Sequence, residues 1–163
     1  MFSDIRRLDH AGASLAYHHQ QAEGAERGIL LISHGLAEHA KRYHRFAEAM
    51  AARGYHVYAH DHRGHSETTA PDAPIGRFAR RNGASYVVDD IEAMRDEAAT
   101  EHPGLPIILF GHSIGGLNAL NASGTYLRKF NAVSVRTSNF NPGLSCRPAH
   151  ATLLLYPHLT PPH

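Results

Sequence analysis

The sequence contains few cysteines, no long apolar run and no excess of charge of either sign, and each shortage excludes a class of protein. Its 163 residues include one cysteine, Cys146, so an internal disulfide framework is excluded. No segment approaches the roughly 18 consecutive apolar residues of a membrane span, and the N-terminus lacks the apolar run of a secretory signal. The net charge of +1, with histidine neutral, gives no field that would attract nucleic acid or an anionic membrane. We therefore expect one cytoplasmic globular domain.

Acidic residues are missing from the last part of the chain. All 15 of them lie between Asp4 and Glu101, and neither Asp nor Glu occurs after Glu101. Histidine is abundant instead, with 15 in the chain and seven of these between His34 and His65. Chemistry that needs a carboxylate from the later residues therefore cannot obtain it from this chain.

The spacing of apolar residues predicts an α/β fold. Two short runs, DIRRLD and SLAYHH, flank the turn residues HAGA and predict an N-terminal β-hairpin. Helical spacing predicts helices over 43–50 and 87–98 and after Ile114. Strands alternating with helices indicate a mostly parallel sheet with helices on both faces. Short apolar runs place the further strands at 28–33, 56–61, 106–111 and 131–135.

The end of the chain differs from the rest. The segment SCRPAHATLLLYPHLTPPH has four prolines, no acidic residue and no regular apolar period, so it is predicted to be irregular. We divide the chain into a partial α/β core at 1–144 and a proline-rich tail at 145–163.

One serine stands between glycines just after a predicted strand. The stretch Gly111-His112-Ser113-Ile114-Gly115 matches the pattern G-x-S-x-G. Between a strand and a helix this pattern forms a sharp turn that exposes the serine hydroxyl, and the glycines let neighbouring backbone pass closely. The bare pattern also arises by chance, in roughly one chain in twenty of this length. Its position between a strand and a helix is what favours Ser113 as a nucleophile.

Three blocks of sequence follow one another at regular spacing: LISHGLAEHAKRY, HDHRGHS and LFGHSIGGLNAL. Over about residues 14–143 they resemble the α/β-hydrolase branch of monoacylglycerol lipases and lysophospholipases, of the serine aminopeptidase S33 type. The resemblance implies a lipid carboxylic-ester hydrolase with Ser113 as nucleophile and the backbone N–H groups of Leu36 and Ile114 as oxyanion hole. It implies no cofactor. The motif positions that it carries over are His34, Gly35, Asp61, Arg63, Gly64, His65, Gly111, His112, Gly115 and Gly116.

Of the groups in this assignment, the oxyanion hole has the largest energetic effect on catalysis. Two backbone donors aimed at an ester carbonyl oxygen stabilise the tetrahedral intermediate, and losing one costs about 3 kcal/mol. Taken alone, His34-Gly35 would indicate only a tight turn, so this position depends on the resemblance.

A cluster of histidines around Asp61 offers an alternative. His56, His60, His62 and His65 surround this aspartate in the sequence, and His and Asp are zinc ligands. The spacing H-D-H-x-x-H matches no zinc motif, whereas the same residues match the D-x-R-G-H block of the hydrolases. We therefore expect no metal site there.

The acid and the base of a catalytic triad are the parts that the sequence does not provide. In this fold the order along the chain is serine, then Asp or Glu, then His, and no acidic residue follows Ser113. The histidines that do follow Ser113 are in or beside the tail, at 150, 158 and 163. Among upstream residues, His112 should leave the turn in another direction, and His34 remains as a substitute base without a carboxylate partner.

We therefore expect a C-terminally shortened hydrolase that stops near Asn139–Leu144. Ending after the sixth strand would leave a sheet edge exposed, which favours self-association. The leading hypothesis is a lipid-ester hydrolase whose chain is nearly inactive by itself. Two alternatives stay open: a non-catalytic module that binds a partner or a small ester, and one half of a split enzyme completed by another polypeptide.

Overall fold

A computed structural model describes residues 2, 5–125 and 129–138, together with the backbone of 150–155. Seven strands and three α-helices alternate along these residues, and a 3-10 helix at Ala40–Tyr43 leads into the first α-helix. The elements are β1 (Arg6–His10), β2 (Ala13–Gln20), β3 (Gly28–Ser33), α1 (His44–Ala51), β4 (Tyr55–His60), α2 (Gly83–Glu101), β5 (Ile107–His112), α3 (Ile114–Thr125), β6 (Ala132–Ser138) and β7 (His150–Leu155).

All seven strands form one sheet in the order β1-β2-β4-β3-β5-β6-β7. The central strands β4, β3, β5 and β6 are parallel, while β1, β2 and β7 pair antiparallel with their neighbours. This confirms the predicted α/β fold with its mostly parallel sheet and N-terminal hairpin. Because the four central strands run in one direction, the segments that follow them meet at one edge of the sheet.

The N-terminal hairpin turns at Ala11 and Gly12. Their φ angles are 44° and 76°, the two positive values that a type I′ turn requires. The turn sets the register in which Leu8 lies opposite Leu15. A glycine at the second position meets this requirement without a steric penalty, so the HAGA sequence defines where the hairpin folds back.

Alternate residues of the central strands face two separate cores. In β3, Ile29 and Leu31 pack under α2 and α3, whereas Leu30 and Ile32 pack on the opposite face with Ala47 of α1. This is the two-residue period of a strand that is buried on both sides. The residues used to predict the second helix are all buried in the first core: Val87, Ile91, Met94 and Ala98.

The tail contains more regular structure than the sequence indicated. Six of its residues, His150–Leu155, form β7 and pair antiparallel with β6. The expectation of an irregular tail and of an exposed β6 edge therefore fails for this stretch, because β7 occupies that edge. The run ATLLL between Pro148 and Pro157 is long enough for a strand, and both prolines stand outside it, where no ladder hydrogen bond is lost. The remaining residues of the tail lie outside the described part of the chain.

In the residues that the structure describes, every helix is too short or too polar to cross a bilayer.

Candidate active site

Ser113 lies at the turn between β5 and α3. Its φ angle is 58°, a left-handed conformation that is uncommon for a residue with a side chain. The backbone N–H of Ser113 donates to the carbonyl oxygen of Arg136 in β6 at 2.8 Å, and the N–H of Gly116 donates back to Ser113 O at 3.0 Å. These bonds fix a strained turn at the carboxyl edge of the sheet, where such strain accompanies function.

The glycines around Ser113 are required by close backbone contacts. A Cβ at Gly111 would lie 2.4 Å from Gly115 O, and a Cβ at Gly115 would lie 2.1 Å from Ser33 O and 2.4 Å from His34 O. A Cβ at Gly116 would lie 2.6 Å from Val135 Cγ1. Each distance is far below van der Waals contact, so α3 can pack this closely against β3, β5 and β6 only with glycine at these positions.

Replacing Gly115 by alanine is expected to destabilise the fold, because the methyl group meets two backbone oxygens that cannot move aside separately. We expect Gly115→Ala to lower the free energy of unfolding by roughly 3 kcal/mol or more. Gly124→Ala is the matched control in the same helix, since a Cβ there has nothing within 4 Å, and it should stabilise the helix by about 1 kcal/mol. Urea unfolding followed by circular dichroism measures both changes, and equal effects would contradict the packing described here.

The turn after β3 lies against the Ser113 turn. A Cβ at Gly35 would come within 3.4 Å of Ser113 Cβ, which places the His34-Gly35-Leu36 backbone beside the serine. Leu36 itself is 53% exposed. Ile114 is the first residue of α3, and the first N–H groups of a helix have no partner within it.

His34 is buried and both of its ring nitrogens are engaged. Nδ1 lies 2.6 Å from Gly35 O, and Nε2 accepts the backbone N–H of His62 at 2.9 Å. Burial lowers the pKa of His34 to about 4, so the ring is neutral at pH 7 and donates from Nδ1. It has no lone pair left for the Ser113 proton, and it acts instead as a brace of the Gly35 turn.

Glu38 holds the same turn from the other side. Its Oε1 accepts the backbone N–H of Gly35 at 2.6 Å and the Tyr43 hydroxyl at 2.5 Å, and it lies 3.0 Å from His112 Nδ1. Burial alone would raise the pKa of Glu38, but the hydrogen bonds from Tyr43, His112 and Gly35 lower it to about 2. The carboxylate is therefore charged at pH 7 and links the block after β3 to the residue before Ser113.

The D-x-R-G-H block shapes the loop after β4. Asp61 accepts the backbone N–H groups of Ala40 at 2.8 Å and Glu67 at 3.2 Å. His65 Nε2 lies 2.8 Å from Leu36 O, so its ring supports the residue whose N–H is expected in the oxyanion hole. Gly64 has a φ of 70°, and a Cβ there would lie 2.1 Å from Arg77 O.

Arg63 of this block forms a buried ion pair with Asp90 of α2. Its Nε lies 2.7 Å from Asp90 Oδ2 and its Nη2 lies 2.9 Å from Asp90 Oδ1, which is a bidentate arrangement. The same guanidinium donates to the carbonyls of His10 and Ala11 in the hairpin turn and stacks on the Tyr86 ring at 4.5 Å. Arg63 thus joins the hairpin, the loop after β4 and α2.

Removing Asp90 should leave this buried guanidinium with only Asp72, a half-exposed carboxylate 3.8 Å from its Nη1, as counter-charge. We expect Asp90→Ala to lower the free energy of unfolding by about 3–5 kcal/mol. Asp96→Ala in the same helix is the control, because Asp96 is 53% exposed and pairs with Arg95 and Lys129 at the surface. Such pairs contribute about 0–1 kcal/mol. Chemical unfolding of the two variants under identical conditions compares them, and a loss below 1 kcal/mol in Asp90→Ala would contradict the structural role.

The histidines around Asp61 do not converge on one point in the described residues. His62 Nε2 lies 3.2 Å from both Ser33 Oγ and His34 O, while His65 contacts Arg63 O and Leu36 O. His60 is fully buried, and neither of its ring nitrogens has a hydrogen-bond partner among the described residues. His56 lies near the opposite end of β4, away from these rings.

An open cleft of about 430 Å³ adjoins the nucleophile turn. It combines aromatic rings with charged side chains, and it is lined by Glu38, Arg42, Tyr43, Arg45, Phe46, Phe110, His112 and Arg136. A larger depression of about 860 Å³ lies between the hairpin turn and the loop at 64–75. Its lining does not include the G-x-S-x-G residues, so the smaller cleft is the one relevant to Ser113.

Sequence reasoning missed several residues of this site. Glu38 and Tyr43 belong to the first block. Their place in the same block as His34 was the sequence signal that could have identified them as site residues. Asp90 gave no signal, because it lies on a helix far along the chain from Arg63 and only the packing of α2 brings the two together.

Comparison with known proteins places this arrangement in context. The family described as serine aminopeptidase S33 matches residues 24–159 and thus reaches into the tail beyond Leu144. A monoacylglycerol lipase of Mycolicibacterium smegmatis is 38% identical over 105 residues, which cover 64% of this chain and 35% of that protein. Human monoglyceride lipase is 30% identical over 120 residues, covering 73% of this chain and 38% of that protein.

A solved structure shares the fold. The carboxyl esterase of Bacillus coagulans superposes with a TM-score of 0.73 at 23% identity, covering 82% of this chain and 43% of the esterase. The chain spans little more than a third of the length of the curated relatives it matches.

Proposed function

Because this chain belongs to the serine aminopeptidase S33 family, we propose that it is the nucleophile-bearing part of a serine hydrolase of lipid carboxylic esters, of the monoacylglycerol or lysophospholipid type. The observation that supports the proposal is the left-handed turn at Ser113, held beside the Gly35 backbone between β5 and α3. The substrate class is inferred from relatives that are named monoacylglycerol and monoglyceride lipases.

Ester hydrolysis at this turn follows the serine route. Ser113 Oγ forms a bond to the ester carbonyl carbon while its proton leaves to a base, and the carbonyl electrons move onto the oxygen. The backbone N–H groups of Leu36 and Ile114 stabilise that oxyanion. Collapse of the intermediate releases the alcohol with the returned proton, and a water molecule then hydrolyses the acyl-serine by the same steps.

Three side chains position the turn that supplies the Leu36 N–H. Glu38 holds the Gly35 N–H, His34 holds the Gly35 carbonyl, and His65 lies against the Leu36 carbonyl. A donor held in place before reaction needs no reorganisation as charge develops, which is how such a hole lowers the barrier. These are positioning residues, since none of them touches Ser113 Oγ.

Among the residues that the structure describes, no histidine is placed to act as the base. His34 has both nitrogens engaged, His112 Nδ1 faces Glu38, and no acidic residue follows Ser113 in the sequence. Loss of triad members lowers turnover by about 10⁴- to 10⁶-fold. We infer that the 163-residue chain by itself is nearly inactive and that a segment with an acid and a histidine completes the site.

The cleft beside the turn supports an amphiphilic substrate. Phe46 and Phe110 offer an apolar surface, and Arg42 with Glu38 offers charge and hydrogen-bonding groups within the same 430 Å³ space. An ester with a polar head and an acyl chain matches both kinds of surface.

A chimera tests the proposal. Residues 5–125 of this chain replace their aligned counterpart in the M. smegmatis monoacylglycerol lipase, which supplies the rest of the fold. We expect the chimera to release glycerol from a monoacylglycerol, and to lose most of that activity when Gly115→Ala disturbs the turn. A folded chimera without ester hydrolysis would contradict the proposed function.

A further inference from the structure

Three histidines from distant parts of the sequence meet at the edge of the sheet opposite Ser113. His19 is near the end of β2, His56 is near the start of β4, and His102 directly follows α2. One ring nitrogen of each lies within 4.8 Å of the others. The histidine alternative in the sequence centred on Asp61, and of those residues only His56 belongs to this cluster.

The spacing of the ring nitrogens fits a single tetrahedral ion. His19 Nε2 and His56 Nδ1 are 3.4 Å apart. Two imidazole nitrogens bound to one zinc ion at about 2.05 Å with tetrahedral angles are about 3.3 Å apart. The His56 and His102 rings are stacked with centroids 3.5 Å apart. The three ring nitrogens lie within 4.8 Å of one another, so binding one ion requires a side-chain rotation of His102.

The surroundings determine which ring nitrogens can bind a ligand. The Ala22 backbone N–H donates to His56 Nδ1 at 3.3 Å, so the proton of this ring is on Nε2, which lies 3.1 Å from Glu26 Oε1. An ion bound at Nδ1 would displace the long contact with Ala22. A carboxylate behind a histidine is the usual outer partner of a metal-binding imidazole. His102 Nε2 is buried and has no hydrogen-bond partner among the described residues.

Charges of both signs lie near the cluster. The Arg6 guanidinium opposes positive charge at His19, and its pairing with Glu101 Oε1 at 2.9 Å partly offsets this effect. Glu101 also accepts the hydroxyl of Tyr58, whose ring stacks on His19.

We propose that His19, His56 and His102 bind one divalent transition-metal ion, of the Zn²⁺ type, with water in the fourth position. Nitrogen ligands from imidazole select Zn²⁺, Cu²⁺ and Ni²⁺ over Mg²⁺ and Ca²⁺. The ion joins β2 and β4 to the end of α2 and so stabilises the sheet at a distance from the nucleophile turn. This site is independent of the ester chemistry proposed above, so a negative result for one proposal does not affect the other.

Metal binding by the untagged chain at pH 7.5 tests the proposal. Equilibrium dialysis against micromolar Zn²⁺, followed by elemental analysis, should find one ion for each wild-type chain. His102→Gln removes a ligand and should weaken binding by more than about 100-fold, while Glu26→Gln removes the outer partner and should weaken it by about 10- to 100-fold. His39→Gln, at an exposed histidine outside the cluster, should leave binding unchanged.

Two further measurements decide the outcome. Co²⁺ in place of Zn²⁺ should give the visible absorption of a four-coordinate site, and Zn²⁺ should raise the Tm of the wild type and of His39→Gln but not of His102→Gln. Circular dichroism confirms that each variant is folded. Equal binding in all variants, which would place the ion at other histidines, or no retained ion in the wild type would overturn the proposal.

Discussion

Ser113→Ala is expected to lower ester hydrolysis by the chimera about 10⁴- to 10⁶-fold and to leave the residual rate of the 163-residue chain unchanged within about threefold. The two results differ because groups of a catalytic triad act as one unit. When the base and the acid are absent, the serine contributes little to the rate, so its removal lowers the residual rate little further. Steady-state release of glycerol or of a chromogenic alcohol measures both rates.

Ser123→Ala is the control for this experiment. Ser123 lies in the same helix, α3, and its hydroxyl donates to Leu120 O at 2.8 Å, away from the turn. Its removal should not change the rate in either protein. If Ser113→Ala abolished measurable turnover of the 163-residue chain, the chain would contain a working base, and the inference that it is nearly inactive by itself would be wrong.

The second large effect is acid unfolding between pH 6.5 and pH 4. Burial lowers the pKa of His34 to about 4 and of His60 to about 3, and it holds that of His62 well below its usual value. In the unfolded chain each titrates near pH 6.5, so below that pH the unfolded state binds more protons and stability falls as the pH falls. Burial also lowers the pKa of His19 to about 4, and four such groups give a slope of up to about 5 kcal/mol per pH unit.

A typical domain stability of about 5–15 kcal/mol is exhausted within about one to three pH units at this slope. We therefore expect the chain to unfold before the carboxylates titrate. Glu38, whose pKa is lowered to about 2, contributes stability that is present above about pH 4.5 and lost only below it. The window between pH 6.5 and pH 5 thus reports on the histidines alone, and urea midpoints measured across it give the slope.

His60→Leu is the matched variant for the pH experiment. His60 is fully buried and its ring nitrogens have no hydrogen-bond partner within the described residues, so an apolar side chain of similar size loses no polar contact. The slope should fall by about a quarter, because one of four protons is no longer taken up. A wild-type stability that is flat between pH 6.5 and pH 5 would contradict the account.

Local pattern was enough to predict much of the fold. The run GILLIS predicted β3 with the bounds that the structure has, and the apolar spacing from Val87 to Ala98 predicted the buried face of α2. These features depend on neighbouring residues, which a sequence displays directly. Strand β7 in the tail was not predicted, because its apolar run becomes a strand only by pairing with β6. The prolines beside it suggested irregular structure instead.

The features of the site also divide into those that a local pattern predicts and those that depend on packing. The pattern G-x-S-x-G between a strand and a helix predicted a sharp turn at Ser113, where the structure has a left-handed residue. The close contacts at Gly115 come from Ser33 and His34, which are far away in the sequence. The partners of the motif residues were not predictable, since Asp90 meets Arg63 only after α2 packs on the sheet. The same holds for His19, His56 and His102, which come from three elements and share no motif.

Covalent labelling tests directly whether Ser113 is the nucleophile of an ester hydrolase. The chimera is treated with a fluorophosphonate, digested and analysed by mass spectrometry. We expect one adduct, on the peptide containing Ser113. It should form together with loss of ester hydrolysis and be absent from Ser113→Ala. An active chimera that is labelled at another residue, or that keeps its activity in Ser113→Ala, would contradict this assignment.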